Sequence, residues 1–524
     1  MTFHKLQQRL HAIETSGFVN TLSGSLVGLE KECLRVAETG GISQTRHPRS
    51  LGSPLTNPFI TTDFSEALLE FITPPCHSIK TALDFLNDLQ VFVYSKLSEE
   101  ILWATSMPCV VESGDSIPIA QYGKSNAGKM KTVYRRGLGY RYGRTMQVIA
   151  GVHFNYSFSE SFWTMYQQIE NDDQQQQAFI SERYMGLIRN ILRHGWLIPY
   201  LFGASPAVCK SFLHGKPSIL TAFNENTAYE PYATSLRMGD IGYTNNKESM
   251  AGIKANYDSL DEYIDSLRCA INTPFDEYEE IGVKVDNEYR QLNANILQIE
   301  NEYYSTVRPK QLLNNNEMPV NALKQRGIRY VEIRSIDVNA FDPLGINEEQ
   351  LYFLEIFVLF CLLQRSPVLT ANEMDEIDMN LVQVAHMGRE PGTTLARNDE
   401  AVELKQWADE LLKAMQGVAR LLDKAHQCKS YTESLERQQA CALDPEQTTS
   451  ARMLNEMRKH HEGFFHFARR MSMQHCRYFS SLTLCEEREQ LFEQAAIDSH
   501  AEQMRIESSD SVEFEEFLKN YFSQ

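Results

Sequence analysis

Pairs of polar residues two positions apart interrupt three stretches of the sequence that are otherwise rich in apolar side chains. Side chains at positions i and i+2 of a strand point to the same face of its sheet. Each pair would therefore present two polar groups side by side, while its apolar neighbours face the core. The pairs are Glu30 and Glu32, His153 and Asn155, and Glu332 and Arg334.

Burying such a polar face is unfavourable unless its carboxylates meet cations. Carboxylate oxygens together with a single histidine suit Mg²⁺ or Mn²⁺ better than a structural zinc ion. The repeated pattern therefore predicts a site for a divalent cation. The alternative is that the three pairs lie on the solvated faces of half-exposed strands and bind nothing.

A fourth stretch, residues 60–74, adds further carboxylates. Asp63 and Glu70 are seven positions apart, so a helix would place both on one face. The β-branched and aromatic residues in 68–73 favour a turn followed by a strand instead. Either conformation would supply more acidic groups to the predicted site.

Two basic motifs raise the question of phosphate binding. Residues 123–129 match the first seven positions of a phosphate-binding loop, but Met130 stands where that loop needs a Ser or Thr hydroxyl for Mg²⁺. The preceding Pro118 is unfavourable in the strand that such a loop requires, so a polar loop near a substrate is the preferred interpretation. Arg308 and Lys310 would serve phosphoryl transfer if they lie beside the acidic face, and otherwise are surface charges.

The elements that must position these groups divide the chain into two parts. Residues 1–345, the predicted catalytic core, carry short alternating stretches separated by Gly, Pro and Asn, which favours an antiparallel sheet. Residues 346–524 are mostly helical, with a buried helix at 348–363 and an amphipathic helix at 398–426. Because no Pro- or Gly-rich linker separates the parts, we expect the C-terminal helices to pack on the sheet. The predicted fold class is α+β.

The composition disfavours several classes of function. The 524 residues include 50 Lys and Arg against 69 Asp and Glu, a net charge of −19, which argues against nucleic acid or an anionic membrane as partner. The first ten residues lack the apolar segment of a secretory signal. The longest apolar run, residues 356–363, is too short to cross a bilayer. We therefore expect a cytoplasmic protein whose ten scattered cysteines are reduced thiols.

Nine segments, which include the polar pairs, occur in the order found in the glutamate–cysteine ligases of the proteobacterial type and resemble them. The resemblance extends from residue 20 to residue 345 and resumes weakly at 391–395 and 450–454. Such a long ordered match is highly specific. The segments are residues 28–36, 60–73, 121–126, 151–155, 199–206, 232–237, 242–245, 297–302 and 332–335.

The resemblance implies an ATP-dependent ligase that joins the γ-carboxyl group of L-glutamate to the amine of L-cysteine. This reaction is the first step of glutathione synthesis. The resemblance also implies a fold similar to glutamine synthetase, with a curved antiparallel sheet and helices outside it. Mg²⁺, with Mn²⁺ as the alternative, would lie between ATP and the substrate. The expected partners are these small molecules alone, bound by a monomer.

By position, the resemblance also implies roles for individual residues. Glu332 and Arg334 would act in catalysis, with Arg334 facing the transferred phosphoryl group. Arg237 would bind a substrate carboxylate, and Asn155 would lie beside the metal and the substrate. The metal shell would comprise Glu30, Glu32, Asp63, Glu70, His153 and Glu332. The walls of the cysteine pocket would be Tyr134, Gln147, Tyr243 and Tyr304.

Three other interpretations of the sequence compete with this one. A related carboxylate–amine ligase with a different amine substrate would keep the acidic face and differ in the tyrosine-lined pocket. A binding protein without activity would be free to lose the polar pairs, which this chain keeps. A bifunctional enzyme is disfavoured, because few residues follow position 345 for a second ATP-using ligase domain.

Overall fold

A computed structural model describes residues 3–213, 219–242 and 254–524 of the chain. Most of its strands are short, and the longest three carry the polar pairs. The strands are β1 (Leu26–Ala37), β2 (Ile60–Thr62), β3 (Leu68–Ile72), β4 (Glu100–Leu102), β5 (Gly151–Ser157), β6 (Ala207–Cys209), β7 (Thr221–Ala222), β8 (Thr227–Tyr229), β9 (Lys284–Val285), β10 (Glu288–Tyr289), β11 (Val307–Lys310), β12 (Tyr330–Asp337), β13 (Thr394–Arg397) and β14 (Glu400–Glu403).

Seven of these strands form the central sheet, in the order β11-β12-β5-β1-β3-β2, with β4 paired to the end of β1. Every neighbouring pair is antiparallel, as the spacing of the turns predicted. The register between β12 and β5 shifts between Ile333 and Ile336. Such an irregularity increases the local bend and twist of a sheet.

Helices surround this sheet and make up most of the chain after residue 345. They are α1 (His4–Thr15), α2 (Ile79–Lys96), α3 (Asn126–Tyr142), α4 (Glu160–Glu170), α5 (Gln176–His194), α6 (Leu197–Phe202), α7 (Lys210–Leu213), α8 (Leu260–Asn272), α9 (Asp276–Ile281), α10 (Pro319–Arg326), α11 (Glu348–Leu363), α12 (Ala371–Met387), α13 (Leu404–His426), α14 (Ser430–Leu443), α15 (Thr449–Lys459), α16 (Phe464–Ser480), α17 (Glu486–Ser509) and α18 (Phe514–Phe522).

The alternation of side chains gives the central sheet two different faces. Val152, Phe154 and Tyr156 of β5 are buried in the core, as are Val331 and Ile333 of β12. Helix α2 packs on β1 and β3, α5 packs on β11, and α6 packs on β12. The polar residues between these apolar ones therefore all emerge on the opposite face of the sheet.

The buried helix predicted at 348–363 is confirmed as α11. Asn347 caps its first turn, and the side chain of Gln350 bonds back to the Asn347 backbone. Nearly all of its remaining side chains are buried, because α2, α5, α13 and α14 pack around it. Among the described residues, no helix combines the length and apolar character needed to cross a membrane.

Two expectations from the sequence are wrong. The amphipathic helix begins at Leu404 and not at 398, because Asn398 and Asp399 adopt left-handed backbone angles that close the β13–β14 hairpin. Not all cysteines are free thiols, since Cys109 and Cys209 form a disulfide with Cα atoms 5.5 Å apart. Their separation of 100 residues left no local motif by which the pair could be predicted.

Candidate active site

The polar pairs of three strands meet at one place because of the register of the sheet. Glu30 of β1 lies directly opposite His153 of β5. Asn155 of β5 lies opposite Glu332 of β12 on its other side. On the other side of β1, where β3 is its neighbour, Glu32 lies opposite Glu70. The strand order thus collects acidic groups from β1, β3 and β12 around one histidine.

His153 is the centre of this acidic cluster. Its Nδ1 atom lies 3.1 Å from Glu30 Oε2 and 3.6 Å from Glu332 Oε1, and its Nε2 atom lies 3.7 Å from Glu32 Oε1. Glu30, His153 and Glu332 each offer one ligand atom, and these three atoms lie within 4.8 Å of one another. A single small cation could therefore contact all three residues.

Asp63 and Glu70 border the same cavity from β2 and β3. Residues 60–74 form two strands and not a helix, so the turn and strand favoured by the sequence are confirmed. Asp63 follows β2 in the connecting turn, and its carboxylate lies 3.8 Å from Arg135 Nη2 of α3. Glu70 is carried by β3, next to Thr61 of β2.

The pKa values of the buried carboxylates shift in opposite directions, according to the charges that surround each one. Burial and the charges of Glu30, Asp63 and Glu32 raise the pKa of Glu70 well above its ordinary value. Burial opposes ionisation of Glu332 too, but Lys310, Arg334 and His153 outweigh it and hold the pKa of Glu332 well below its ordinary value. Glu70 therefore favours its neutral form, and a divalent cation bound in the cavity would favour its ionised form.

Basic side chains line the other side of the cluster. Lys310 Nζ lies 3.3 Å from Glu332 Oε2, and Arg334 Nη1 lies 3.2 Å from Glu332 Oε1. Arg308 faces Glu332 across β11 and β12. The interpretation of Arg308 and Lys310 as isolated surface charges is therefore wrong, because both residues line the cavity.

Arg237 approaches the cluster from a short helical turn between β8 and α8. Its Nη2 atom donates to the backbone oxygen of Arg334 at 2.9 Å, and its Nη1 atom lies 3.7 Å from Asp337 Oδ1. Among the described residues, no hydrogen-bond partner meets the buried Nε atoms of Arg237 and Arg334. Both arginine side chains border the cavity that the acidic cluster faces.

All of these groups border a cavity of about 480 Å³. Tyr134, Gln147 and Tyr304, predicted to form the amine pocket, line it as well. Asn155 contacts the cluster by donating from Nδ2 to Glu30 Oε1 at 2.9 Å. Tyr243 lies outside the described residues, so its predicted place in the pocket stays a prediction.

An acidic cluster faced by arginine and lysine side chains is suited to bind a metal ion and a phosphate chain together. Comparison with known proteins identifies the family. Residues 10–384 match the glutamate–cysteine ligase family. This chain belongs to that family.

Relatives match over nearly the whole chain. The glutamate–cysteine ligase of Alcanivorax borkumensis is 47% identical over 522 residues, which are 99% of this chain and 99% of the relative. The glutamate–cysteine ligase of Pseudomonas entomophila is 47% identical over 503 residues, or 96% of this chain and 94% of the relative. Both therefore include the helical C-terminal part.

Solved structures agree with this assignment. The crystal structure of a glutamate–cysteine ligase from Francisella tularensis in complex with AMP has a TM-score of 0.89 and 35% identity, covering 95% of this chain and 98% of that one. A bifunctional glutathione synthetase from Pasteurella multocida shares the fold, with a TM-score of 0.73 and 23% identity. The match covers 93% of this chain and 58% of that one.

The loop that resembles a phosphate-binding motif has another role in this ligase. The backbone N–H of Lys124 donates to Glu507 at 2.8 Å, and that of Asn126 donates to Asp510 at 2.5 Å. Carboxylates of the chain's own C-terminal part thus lie where a phosphate-binding loop would hold phosphate. The loop ends where Ser125 caps helix α3.

Sequence reasoning assigned Tyr134 to the pocket but missed the rest of the contribution that α3 makes to the ligase cavity. Its lining side chains follow a helical spacing of three and four residues, which places them on one face. That spacing would have been a usable signal once Ser125 was recognised as an N-cap. The lining residues of this face are Ala127, Met130, Lys131, Tyr134, Arg135, Leu138 and Tyr142.

Proposed function

We propose that the acidic cluster and the arginines facing it are the active site of this glutamate–cysteine ligase. The chain joins the γ-carboxyl group of L-glutamate to the amine of L-cysteine and converts ATP to ADP and phosphate, the first step of glutathione synthesis. The observation that carries the proposal is the meeting of Glu30, His153 and Glu332 within 4.8 Å, beside Arg334.

The reaction requires activation of the carboxylate, because a carboxylate and an amine do not condense at neutral pH. Transfer of the terminal phosphoryl group of ATP to a γ-carboxylate oxygen gives an acyl phosphate and ADP. The amine of cysteine then attacks the acyl carbon, phosphate leaves, and the nitrogen loses a proton. This chemistry depends on positioning and on neutralising charge, so it calls for fixed cations and for carboxylates that hold a metal ion, and not for a nucleophilic side chain.

The donor set fits the divalent cation implied by the sequence. Glu30, His153 and Glu332 would hold it, and Glu32, Asp63 and Glu70 border the same space. Oxygen-rich ligation with one histidine suits Mg²⁺ or Mn²⁺. When bound, the cation would neutralise charge on the phosphate chain of ATP.

The arginines supply the remaining positive charge. We assign Arg334 to the transferred phosphoryl group, because its guanidinium lines the cavity and lies 3.2 Å from Glu332 of the acidic cluster. We assign Arg237 to a substrate carboxylate. The buried Asp337 and the backbone oxygen of Arg334 hold its guanidinium in place at the border of the cavity.

We assign the amine substrate to the pocket walled by Tyr134, Gln147 and Tyr304, to which the sequence adds Tyr243. A pocket of this kind discriminates by about 1–3 kcal/mol per methylene-sized difference, so it cannot exclude a close isostere. We therefore expect slower but measurable ligation of 2-aminobutyrate. Strict rejection of every cysteine analogue would contradict the assignment.

The decisive experiment measures ADP release with ATP, Mg²⁺ and L-glutamate, with and without L-cysteine. The proposal requires cysteine-dependent release matched one-to-one by γ-glutamylcysteine. Release with glutamate but no response to cysteine would favour a ligase with another amine substrate. No release under either condition would favour a fold without activity.

A second experiment tests the metal assignment. Chelation by EDTA should abolish ADP release, and re-addition of Mg²⁺ or Mn²⁺ should restore it. Binding of Mn²⁺ to the nucleotide-free protein, followed by electron paramagnetic resonance, should be lost in Glu30→Gln and retained in Glu160→Gln. The second variant alters an exposed carboxylate on α4 that lies 3.5 Å from Arg329 Nη1. Equal Mn²⁺ binding in both variants would refute the assignment.

A further inference from the structure

The last fifteen residues, 510–524, lie beyond the segment that matches the family, which ends at 384. They leave α17 through a short turn and form the final helix, α18. We call this segment the C-terminal clasp. It lies against α3 and the loop that follows β11, and both of these elements line the cavity.

The clasp fixes the beginning of α3. Asp510 Oδ2 accepts a hydrogen bond from the backbone N–H of Asn126 at 2.5 Å, and the backbone oxygen of Val512 accepts from Asn126 Nδ2 at 2.9 Å. Just before this point, Gly123 has a φ angle of +85°, and a Cβ there would lie 2.0 Å from Gln503 Nε2. The approach of the C-terminal part to this loop is therefore close along its whole length.

The clasp also packs on the middle of α3 and holds the loop after β11. Leu518 forms a small buried cluster with Met130, Val133 and Leu292 that is separate from the main core. At its very end, Gln524 Nε2 donates to the backbone oxygen of Asn316 at 2.9 Å, and Gln524 Oε1 accepts from the backbone N–H of Met318 at 3.3 Å. The clasp thus bridges two walls of the cavity.

Tyr521 of the clasp lines the cavity itself. Burial raises the pKa of its hydroxyl, which therefore stays neutral. One group of lining residues from the neighbouring elements differs from the ionic face of the sheet, because it consists of apolar side chains and side-chain amides. The charged Lys131 and Glu317 border this group. Its members are Met130, Ile299, Leu313, Asn314, Asn316 and Pro319.

The chemistry of this second lining selects one part of one substrate. Glutamate and cysteine are small zwitterions that need charged partners. The base of ATP is flat, largely apolar, and carries hydrogen-bonding edges, which aromatic and amide side chains bind well. The loop bearing Leu313 and Asn314 also continues directly from Arg308 and Lys310, the cations beside Glu332. A nucleotide with its phosphates at the cluster would place its base toward this loop.

We propose that the C-terminal clasp is part of the active site, with Tyr521 contacting the base of the nucleotide and α18 holding α3 and the loop after β11 around it. The inference rests on the proposed function for the identity of the nucleotide. The sequence analysis placed residues 346–524 outside the catalytic core. The inference assigns a contact with a substrate to the end of that part.

Equilibrium binding to the full-length protein tests this inference without turnover. We would compare MgADP with magnesium tripolyphosphate, which has a phosphate chain but no base. Tyr521→Ala should weaken MgADP binding about tenfold, since a base–aromatic contact contributes about 1–3 kcal/mol. Its binding of magnesium tripolyphosphate should be unchanged, and Tyr521→Phe should restore most of the MgADP affinity.

The matched control is Phe514→Ala, at the other end of α18. Phe514 packs against Tyr289, with ring centroids 5.1 Å apart, and so supports the helix without lining the cavity. This variant should leave the ratio of the two affinities unchanged. Equal weakening of both ligands by Tyr521→Ala, no weakening of either, or the same change of ratio in Phe514→Ala would overturn the inference.

Steady-state kinetics separates this inference from the proposed function. In Tyr521→Ala the KM for ATP should rise about tenfold, while the KM values for glutamate and cysteine stay unchanged. A wild-type chain that binds MgADP through Tyr521 but forms no γ-glutamylcysteine would refute the proposed function and uphold the clasp. If the wild type is fully active and the KM for ATP is unchanged in Tyr521→Ala, the proposed function stands and the role of the clasp is refuted.

Discussion

Glu30 and His153 face each other across β1 and β5, with Glu30 Oε2 3.1 Å from His153 Nδ1. The contact follows from the register of two strands whose other faces are packed in the core by Leu29 and Phe154. A slip of one residue would turn the polar set toward the core and the apolar set toward the cavity. The packing of the core therefore also fixes the geometry of the acidic cluster.

Glu332→Gln should abolish most of the ligase activity while the protein remains folded. The variant keeps the shape of the side chain. It removes the negative charge of the carboxylate that Lys310, Arg334 and His153 contact. We expect turnover to fall by at least about a hundredfold, the range seen when one preorganised electrostatic group is removed.

ADP release and thermal unfolding would be measured together for this variant. Glu160→Gln, in which an exposed carboxylate is neutralised, serves as the control and should match the wild type in both. Global unfolding of Glu332→Gln would show that the residue is needed chiefly for structure, and full activity would remove it from the active site.

The sequence predicted well which residues lie on the cavity-facing side of the central sheet, and the reason is physical. Alternation along a strand is local, so residues 30, 32, 153, 155, 332 and 334 could each be assigned to a face from their own neighbours. Which strands are adjacent depends on long-range pairing, and here that information came from the family resemblance. The central position of His153 became visible only in the register of β1, β5 and β12.

The features that the sequence did not reveal all depend on distant contacts. Cys109 and Cys209 are brought together by the fold over 100 intervening residues. Tyr521 reaches the cavity because Leu518 docks on Met130 and Val133, and nothing in the local sequence marks that docking. The sequence pattern placed the start of α13 too early, because Asn398 and Asp399 are compatible with a helix. In the structure their left-handed backbone conformation forms the turn between β13 and β14.

Gly151→Ala should impair the binding of an amino-acid substrate through Arg237. A Cβ at this position would lie 2.2 Å from Arg237 Nη2, and the buried guanidinium has little space to move. Displacing one charge-assisted hydrogen bond should raise the KM for that substrate about tenfold or more, with a smaller change in kcat. Arg237→Lys should affect the same substrate.

Gly41→Ala provides the matched control, because a Cβ there meets nothing closer than 3.8 Å. The KM values for glutamate and cysteine would be determined separately for all three variants. Unchanged KM values for both substrates in Gly151→Ala and Arg237→Lys would contradict the role assigned to Arg237.

His386 should couple the position of the Arg237 turn to pH. Its Nδ1 lies 2.7 Å from Glu230 Oε2 and its Nε2 lies 2.9 Å from Asp240 Oδ1, three residues after Arg237. Burial lowers the pKa of His386, but the hydrogen bonds and charges of these carboxylates outweigh it and raise the pKa above 6.5. The stabilisation is therefore complete below pH 6.5 and is lost as the pH rises through the raised pKa.

The free energy of unfolding should accordingly fall above pH 6.5, and His386→Gln should remove this part of the pH dependence. His11→Gln, which alters an exposed histidine of α1, should leave the slope intact. Urea unfolding at a series of pH values would measure both. An identical slope in the wild type and in His386→Gln would show that His386 contributes no pH-dependent stability.

Glu355→Gln should stabilise the protein above neutral pH. Glu355 of α11 is buried in the core and accepts a hydrogen bond from the Tyr431 hydroxyl. Burial raises its pKa to about 7, although the bond from Tyr431 lowers it. Between the ordinary value of 4.5 and about 7, the folded protein binds a proton that the unfolded chain releases, so stability falls as the pH rises through this window.

A glutamine at position 355 keeps the acceptor for Tyr431 and removes the ionisation. Above pH 7 the variant should gain up to about 3 kcal/mol in free energy of unfolding relative to the wild type, and below pH 4.5 the two should converge. Glu349→Gln, on an exposed position of the same helix, should show no such divergence. A constant difference between Glu355→Gln and the wild type at all pH values would mean that Glu355 keeps one protonation state throughout.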